Sequence, residues 1–139
     1  MIILDTNVLS ELMRPKPSAN VLRWIEKQPE RELFTTSITE AEIFYGIEIL
    51  PKGKRRELLT AAAEAVFAED FPGRVYGFDS QAARVFSKIM SGRRASGRPI
   101  SQSDAQIAAI ARVARATLAT RDVQDFEQCG IDIVDPWRG

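Results

Sequence analysis

Met1-Ile2-Ile3-Leu4-Asp5-Thr6-Asn7 is an apolar run that ends abruptly in a carboxylate, a hydroxyl and an amide. Four consecutive large apolar residues without polar alternation predict a strand covered on both faces, as in the middle of a parallel sheet flanked by helices. Asp5 then stands at the strand's carboxyl end, where open α/β sheets place their ligand sites. A purely structural reading stands beside this one. Asp5 or Thr6 would serve equally as the N-cap of a helix running from Val8 to Met13.

Composition narrows the chemistry. A chain of 139 residues fits one domain, 1–139, and a domain of that size buries about two thirds of its unfolded surface. Lys plus Arg and Asp plus Glu each number 19, so contact with a polyanion must come from a local patch rather than a global field. With one cysteine, Cys129, and no histidine, an intrachain disulfide, a Cys/His zinc site and any histidine base are excluded. Carboxylates must do the work of any enzyme built from this chain. The start has no basic region or small-residue cleavage site, and no apolar stretch approaches the ~20 residues needed to span a bilayer. A cytoplasmic protein without a membrane partner is expected.

Further along, Arg14-Pro15-Lys16-Pro17 stops the first helix, and Ser18 is placed to cap a second one that turns Val21, Leu22, Trp24 and Ile25 inward. Leu33 to Thr36 reads as a strand. Ser37-Ile38-Thr39-Glu40 reads as a capping box, with Ser37 at N-cap and Glu40 at N3 of a helix reaching about Leu50. Glu42 lies roughly 200° around that helix from Glu40, on a face with no Lys or Arg at helical spacing. It is either a solvated glutamate or a functional one. Lys52, Lys54, Arg55 and Arg56 open a further helix to about Ala68, as a solvated start. Arg74 to Phe78 reads as a third strand, with Asp79 capping a helix from Ser80 to about Met90. Ser91 to Ser101, rich in small residues, reads as a mobile loop whose Arg93, Arg94 and Arg98 are candidate phosphate contacts. Ser101 to Ala111 fits a tightly packed helix with Asp104 in its first turn, where dipole compensation alone would account for the acid. Ala116 to Thr120 is a compact strand followed by Arg121-Asp122 and a short helical turn through Phe126. The strand Ile131 to Val134 and Pro136-Trp137 close the chain.

Each of Asp5, Glu42, Asp104 and Asp122 has a local structural explanation, yet each falls at a strand exit or at the start of the helix after it. In a parallel α/β sheet those places share one edge. Carboxylates gathered there would raise one another's pKa unless a cation held them. An all-oxygen ligand set selects hard ions, Mg²⁺ with Mn²⁺ as substitute, and such ions suit phosphate chemistry.

Asp5-Thr6-Asn7 after an apolar strand, Ser37 to Glu42 with Tyr45-Gly46 following, Asp104 ahead of Ile107-Ala108-Ala109, and Thr120-Arg121-Asp122 before Phe126 together resemble the PIN-domain family. Within it, the chain is similar to the VapC and FitB toxins of bacterial type II toxin–antitoxin pairs, including the terminal Pro136-Trp137. The resemblance implies a three-layer α/β/α fold with a central parallel sheet of four to five strands. It also implies a Mg²⁺- or Mn²⁺-dependent endoribonuclease, a homodimer, and inhibition by a small antitoxin that binds operator DNA. The family's acidic quartet falls on Asp5, Glu42, Asp104 and Asp122, with Asp5 and Asp104 as direct metal ligands. Asn7 and Thr120 match supporting polar positions, and Asp125 is an additional acid. The implied reaction is attack of a metal-activated water on the RNA phosphodiester, leaving 5′-phosphate and 3′-hydroxyl ends.

Three rival readings remain. A receiver-like Mg²⁺-binding signalling domain wants adjacent acids near the first strand and a lysine after a late strand, where this chain has Thr6, Asn7 and Arg121. A haloacid-dehalogenase-type phosphatase wants an acid where Asn7 stands. A catalytically inactive PIN-fold binding module would use the same acids only as helix caps.

Overall fold

The computed structural model describes residues 1–138, so that Gly139 of the expected domain lies outside the described residues. Five short parallel strands form one sheet: β1 (Ile2–Leu4), β2 (Leu33–Thr36), β3 (Val75–Tyr76), β4 (Thr117–Ala119) and β5 (Ile133–Val134). Their order is β3-β2-β1-β4-β5. The chain winds outward from β1 to β3 on one side, then crosses back to lay β4 against the other side of β1. The point where the winding reverses therefore lies between β1 and β4, and crevices at such points are where α/β sheets bind ligands.

Period-two alternation divides the central strands between two cores. Ile3 of β1 and Leu118 of β4 face the layer made by α5 (Ser80–Ala95) and α6 (Gln102–Ala114). Leu4 and Ala119 face the layer of α1 (Thr6–Leu12), α2 (Ala19–Glu26), α3 (Ser37–Glu48) and α4 (Lys54–Ala65). Both faces of β1 are thus covered, as its unbroken apolar run requires. The small residues Ala105, Ala108, Ala109 and Ala111 are fully buried and let α6 lie close to the sheet. On the opposite layer a π-helical turn, Val66–Asp70, continues α4 and buries Phe67, whose ring packs 5.9 Å from that of Phe44.

Three local expectations change. Ser18 sits at the N-cap of α2 without a side-chain cap, and its own N–H donates to the buried Glu11 carboxylate at 2.8 Å. The cap of α3 is Thr36, whose hydroxyl accepts from Thr39 N–H at 3.1 Å, because β2 delivers its last residue directly into the helix. Glu40 therefore falls one position beyond N3, and the capping box at Ser37 does not form.

The third change is larger. Ser91 to Ser101 is not a loop throughout: α5 runs on to Ala95 and closes in a Schellman motif. Gly97, with φ 75°, donates to Arg94 O at 3.1 Å, and Arg98 N–H donates to Arg93 O at 2.9 Å. Arg93 is only 5 % exposed. Its guanidinium donates to the carbonyls of Arg98, Asp125 and Glu127 at 2.7, 2.8 and 3.0 Å, tying the end of α5 to the turn after β4. With Nε and Nη1 committed to carbonyls, this guanidinium is turned inward, away from the solvent where a phosphate would meet it. Arg98 is bound to the same turn through Glu127 at 3.1 Å and Gln124 O at 3.3 Å. Arg94 stays exposed.

Among the described residues no helix is long and apolar enough to cross a membrane. Removing the Arg93 side chain strands three carbonyl oxygens, so Arg93→Ala is expected to cost about 2–4 kcal/mol. Urea unfolding would read that as a lower midpoint, with Arg98→Ala, at the surface, costing under about 1 kcal/mol.

Candidate metal centre at the β1–β4 switch point

Parallel pairing of β1 with β4 puts Leu4 beside Ala119, which leaves Asp5 and Thr120 side by side one residue later. Asp5 N–H completes the ladder to Ala119 O at 2.9 Å. Its carboxylate is buried, with Oδ1 accepting from Thr6 N–H and Oδ2 from the Thr120 hydroxyl, both at 2.8 Å. The helix cap and the strand-end acid are therefore the same group.

Thr120 then organises the β4 side. Having given its proton to Asp5, its oxygen accepts from Asp122 N–H at 3.1 Å and from the Asn7 amide at 3.3 Å. A hydroxyl has one donor and two acceptor sites, and all are used. The Asn7 amide also donates to Asp122 Oδ2 at 3.1 Å, while its Oδ1 accepts from Arg121 N–H at 3.4 Å. Asn7 thereby fixes both the backbone and the carboxylate of the segment after β4.

Thr6 does the same on the β2 side. Its hydroxyl donates to Glu42 Oε1 at 2.7 Å and lies 3.1 Å from the buried Thr39 hydroxyl. Thr39 and Glu42 stand one turn apart on α3, so one residue of α1 reaches both. Site residues chosen for charge omitted Thr6 and Thr39; the signal for them is the position of Thr6 between the strand-end acid and Asn7. Asp104 enters from α6, where Ser101 caps its N–H at 3.2 Å as expected.

Electrostatics join these acids. Burial pushes the Asp5 carboxyl from its ordinary 3.8 up to about 6, hydrogen bonds from Thr120 and Thr6 hold it back, and the charges of Asp104 and Glu42 push it further. Asp104 is raised too, first by burial, against the Ser101 bond, then by Asp125, Glu42 and Asp122. The five carboxylates thus share one field, and those of Asp5, Glu42 and Asp122 are each fixed by hydrogen bonds from neighbouring groups. Among the described residues, no Lys or Arg forms an ion pair with any of them, and no three stand close enough to clasp a single ion directly. The donor set is all oxygen, and one buried anion surrounded by like charges lacks only a cation. That fits an ion held by one or two carboxylates with water in its other positions, which is how Mg²⁺ is usually bound.

The chain belongs to the PIN domain family, whose sequence profile matches residues 2–130. Its relatives include the VapC ribonuclease Y4jK of Sinorhizobium fredii, 40 % identical over 99 % of this chain and 98 % of that one. Toxin FitB of Neisseria gonorrhoeae is 34 % identical over 99 % of both. Among solved structures, FitAcB from Neisseria gonorrhoeae superposes with a TM-score of 0.93 at 34 % identity, covering 100 % of both chains. DNA-bound VapBC from Salmonella typhimurium gives 0.82 at 28 % identity, covering 97 % of each.

The raised Asp5 pKa has a definite sign. Its contribution to metal-free stability is full below about 4 and is lost as pH rises through about 6. At about 1.4 kcal/mol per pH unit, the loss is roughly 3 kcal/mol. Urea unfolding in chelator at pH 5 and pH 7.5 should show lower stability at the higher pH, and Asp5→Asn should remove most of that difference.

Proposed function

We propose that the chain is a Mg²⁺-dependent endoribonuclease toxin of a type II toxin–antitoxin pair, acting as a single domain in the cytoplasm and as a homodimer. The observation that carries this reading is the cluster of mutually repelling carboxylates, none paired with a Lys or Arg among the described residues, at the switch point of a PIN fold. Relatives bearing the name ribonuclease supply the reaction class. Asp5 and Asp104 would hold the ion directly, Glu42 and Asp122 through water or a second ion, and Asp125 would add negative charge at the rim. Bound there, Mg²⁺ or Mn²⁺ supplies neutralisation of phosphoryl oxygens and a water that ionises near neutral pH.

The chain's own groups supply geometry. Thr120 and Thr6 each donate one proton to a carboxylate, which fixes the direction of its lone pairs. Asn7 holds Asp122 in place and keeps the segment after β4 in register with β1. Without a cation, the cluster repels RNA; a divalent ion held there would offset two of its negative charges and give phosphate oxygens a positive centre to meet.

A small antitoxin is the proposed partner, through which the pair would bind operator DNA; the FitAB and VapBC structures bound to DNA support this reading. An open groove of about 800 Å³ between α1, α3 and α4 suits an apolar segment of it. Met13, Ile43, Ile47, Leu58 and Leu59 line the groove, which begins at Thr6 and Glu42, so its occupant would also cover one side of the acids.

Asp5→Asn and Asp104→Asn should each lower Mg²⁺-dependent RNA cleavage at least 100-fold while remaining folded by circular dichroism. Wild-type rates in both would end the catalytic assignment. Millimolar Mg²⁺ should raise the melting temperature of the wild type, because binding to the folded state alone stabilises it, and should do less for Asp5→Asn. A melt indifferent to Mg²⁺ and Mn²⁺ would favour the inactive binding module.

A further inference from the structure

The arginine left facing the site is one that charge clustering in the sequence does not single out. Arg121 lies between Thr120 and Asp122, and its backbone N–H is held by Asn7. Its guanidinium carbon sits 5.0 Å from the centroid of the Trp137 ring. That ring is a fixed platform: Trp137 N–H donates to Asp135 Oδ1 at 2.9 Å, its carbonyl accepts from Asn20 at 2.8 Å, and the indole packs on the α1–α4 core. No carboxylate among the described residues lies within ion-pair distance of Arg121. Beside it opens a cavity of about 460 Å³ whose walls include Asp122, Gln124, Asp125 and Asp135.

Arg121, held over the indole, lines this cavity with a planar guanidinium, and arginine planes are surfaces on which unpaired RNA bases stack. The remaining walls decide between base and phosphate. Acidic residues outnumber arginines there, four to two, so a phosphate would be repelled. Carboxylates accept readily from exocyclic amino groups. Glu127 is paired with Arg98 and Asp135 with Arg138 and the Trp137 amide, which leaves the Asp125 carboxylate and the Gln124 amide to meet a base edge.

We infer that the Arg121–Trp137 pair and the cavity beside Asp122 form a base-binding subsite for an unstacked RNA nucleotide adjacent to the scissile phosphate, favouring amino-bearing bases over uracil. This inference rests on the ribonuclease reading. In it Arg121 acts as a plane rather than as a point charge, and Asp125 and Gln124 set the preference.

The test is single-turnover cleavage of a randomised single-stranded RNA pool by the full chain with Mg²⁺, with cleavage sites mapped, for the parent, Arg121→Ala and Arg121→Lys. The parent should show a position next to the cut where uracil is depleted. Arg121→Ala should raise the half-saturating RNA concentration roughly tenfold, as expected for one lost stacking partner, with a smaller change in the maximal rate. It should also flatten the base preference, and its melting temperature should match the parent's. Arg121→Lys, which keeps the charge and loses the plane, should behave like Arg121→Ala. Full rescue by lysine would overturn the inference in favour of a phosphate contact, and an unchanged site map and RNA dependence in Arg121→Ala would overturn it outright. If the parent cleaves no RNA with either metal, the ribonuclease reading falls and this inference with it; if the parent cleaves and Arg121→Ala matches it, only the inference falls.

Discussion

A carboxylate kept inside a protein without a counter-charge constrains everything near it. Asp5 is placed there by the pairing of β1 with β4 and kept there by two hydrogen-bond donors, and neither donor carries a charge. The cost of burying the anion is offset only in part, which is why its pKa climbs despite both bonds. Neighbouring acids from α3 and α6 add to the cost instead of relieving it. The fold carries an electrostatic debt at one place on the edge of the sheet, and a divalent ion is the simplest group that would discharge it.

The hydroxyls and amides around that edge explain how such a cluster holds its shape. Asp5-Thr6-Asn7 are three consecutive residues with three different destinations: Asp5 to β4, Thr6 to α3, and Asn7 to the segment beyond β4. One short stretch thus ties together elements from both directions of the winding. Substituting a carboxylate changes charge, whereas substituting Thr6 or Asn7 changes where a charge sits.

The central strand, the parallel sheet and the placing of four acids within one another's field were legible in the sequence because their determinants are local or topological. An unbroken apolar run, acids at strand exits and small residues along one helix need no knowledge of distant contacts. The arginines were not legible in that way. Arg93 sits in a stretch whose glycines and serines look like a loop, and only the carbonyls of Asp125 and Glu127, more than 30 residues away, show why it turns inward. The Gly97-Arg98-Pro99 sequence did carry a helix-stop signal, and it marks the true end of α5. Likewise Thr36 and Ser37 are both good caps, and the extent of β2 chooses between them. Arg121 owes its prominence to Trp137, which reaches it only after the last strand is in place.

The hydrogen bond from Thr120 to Asp5 spans 115 residues of chain. A ribosome releases the first member of that pair long before the second, and β1 has no partner on its β4 side until the late helix α6 has been made. Until then the acids from α1, α3 and α6 are separate side chains on an incomplete sheet. In a nascent chain this edge is therefore unformed for most of the synthesis, and the cluster assembles only once β4 can pair with β1.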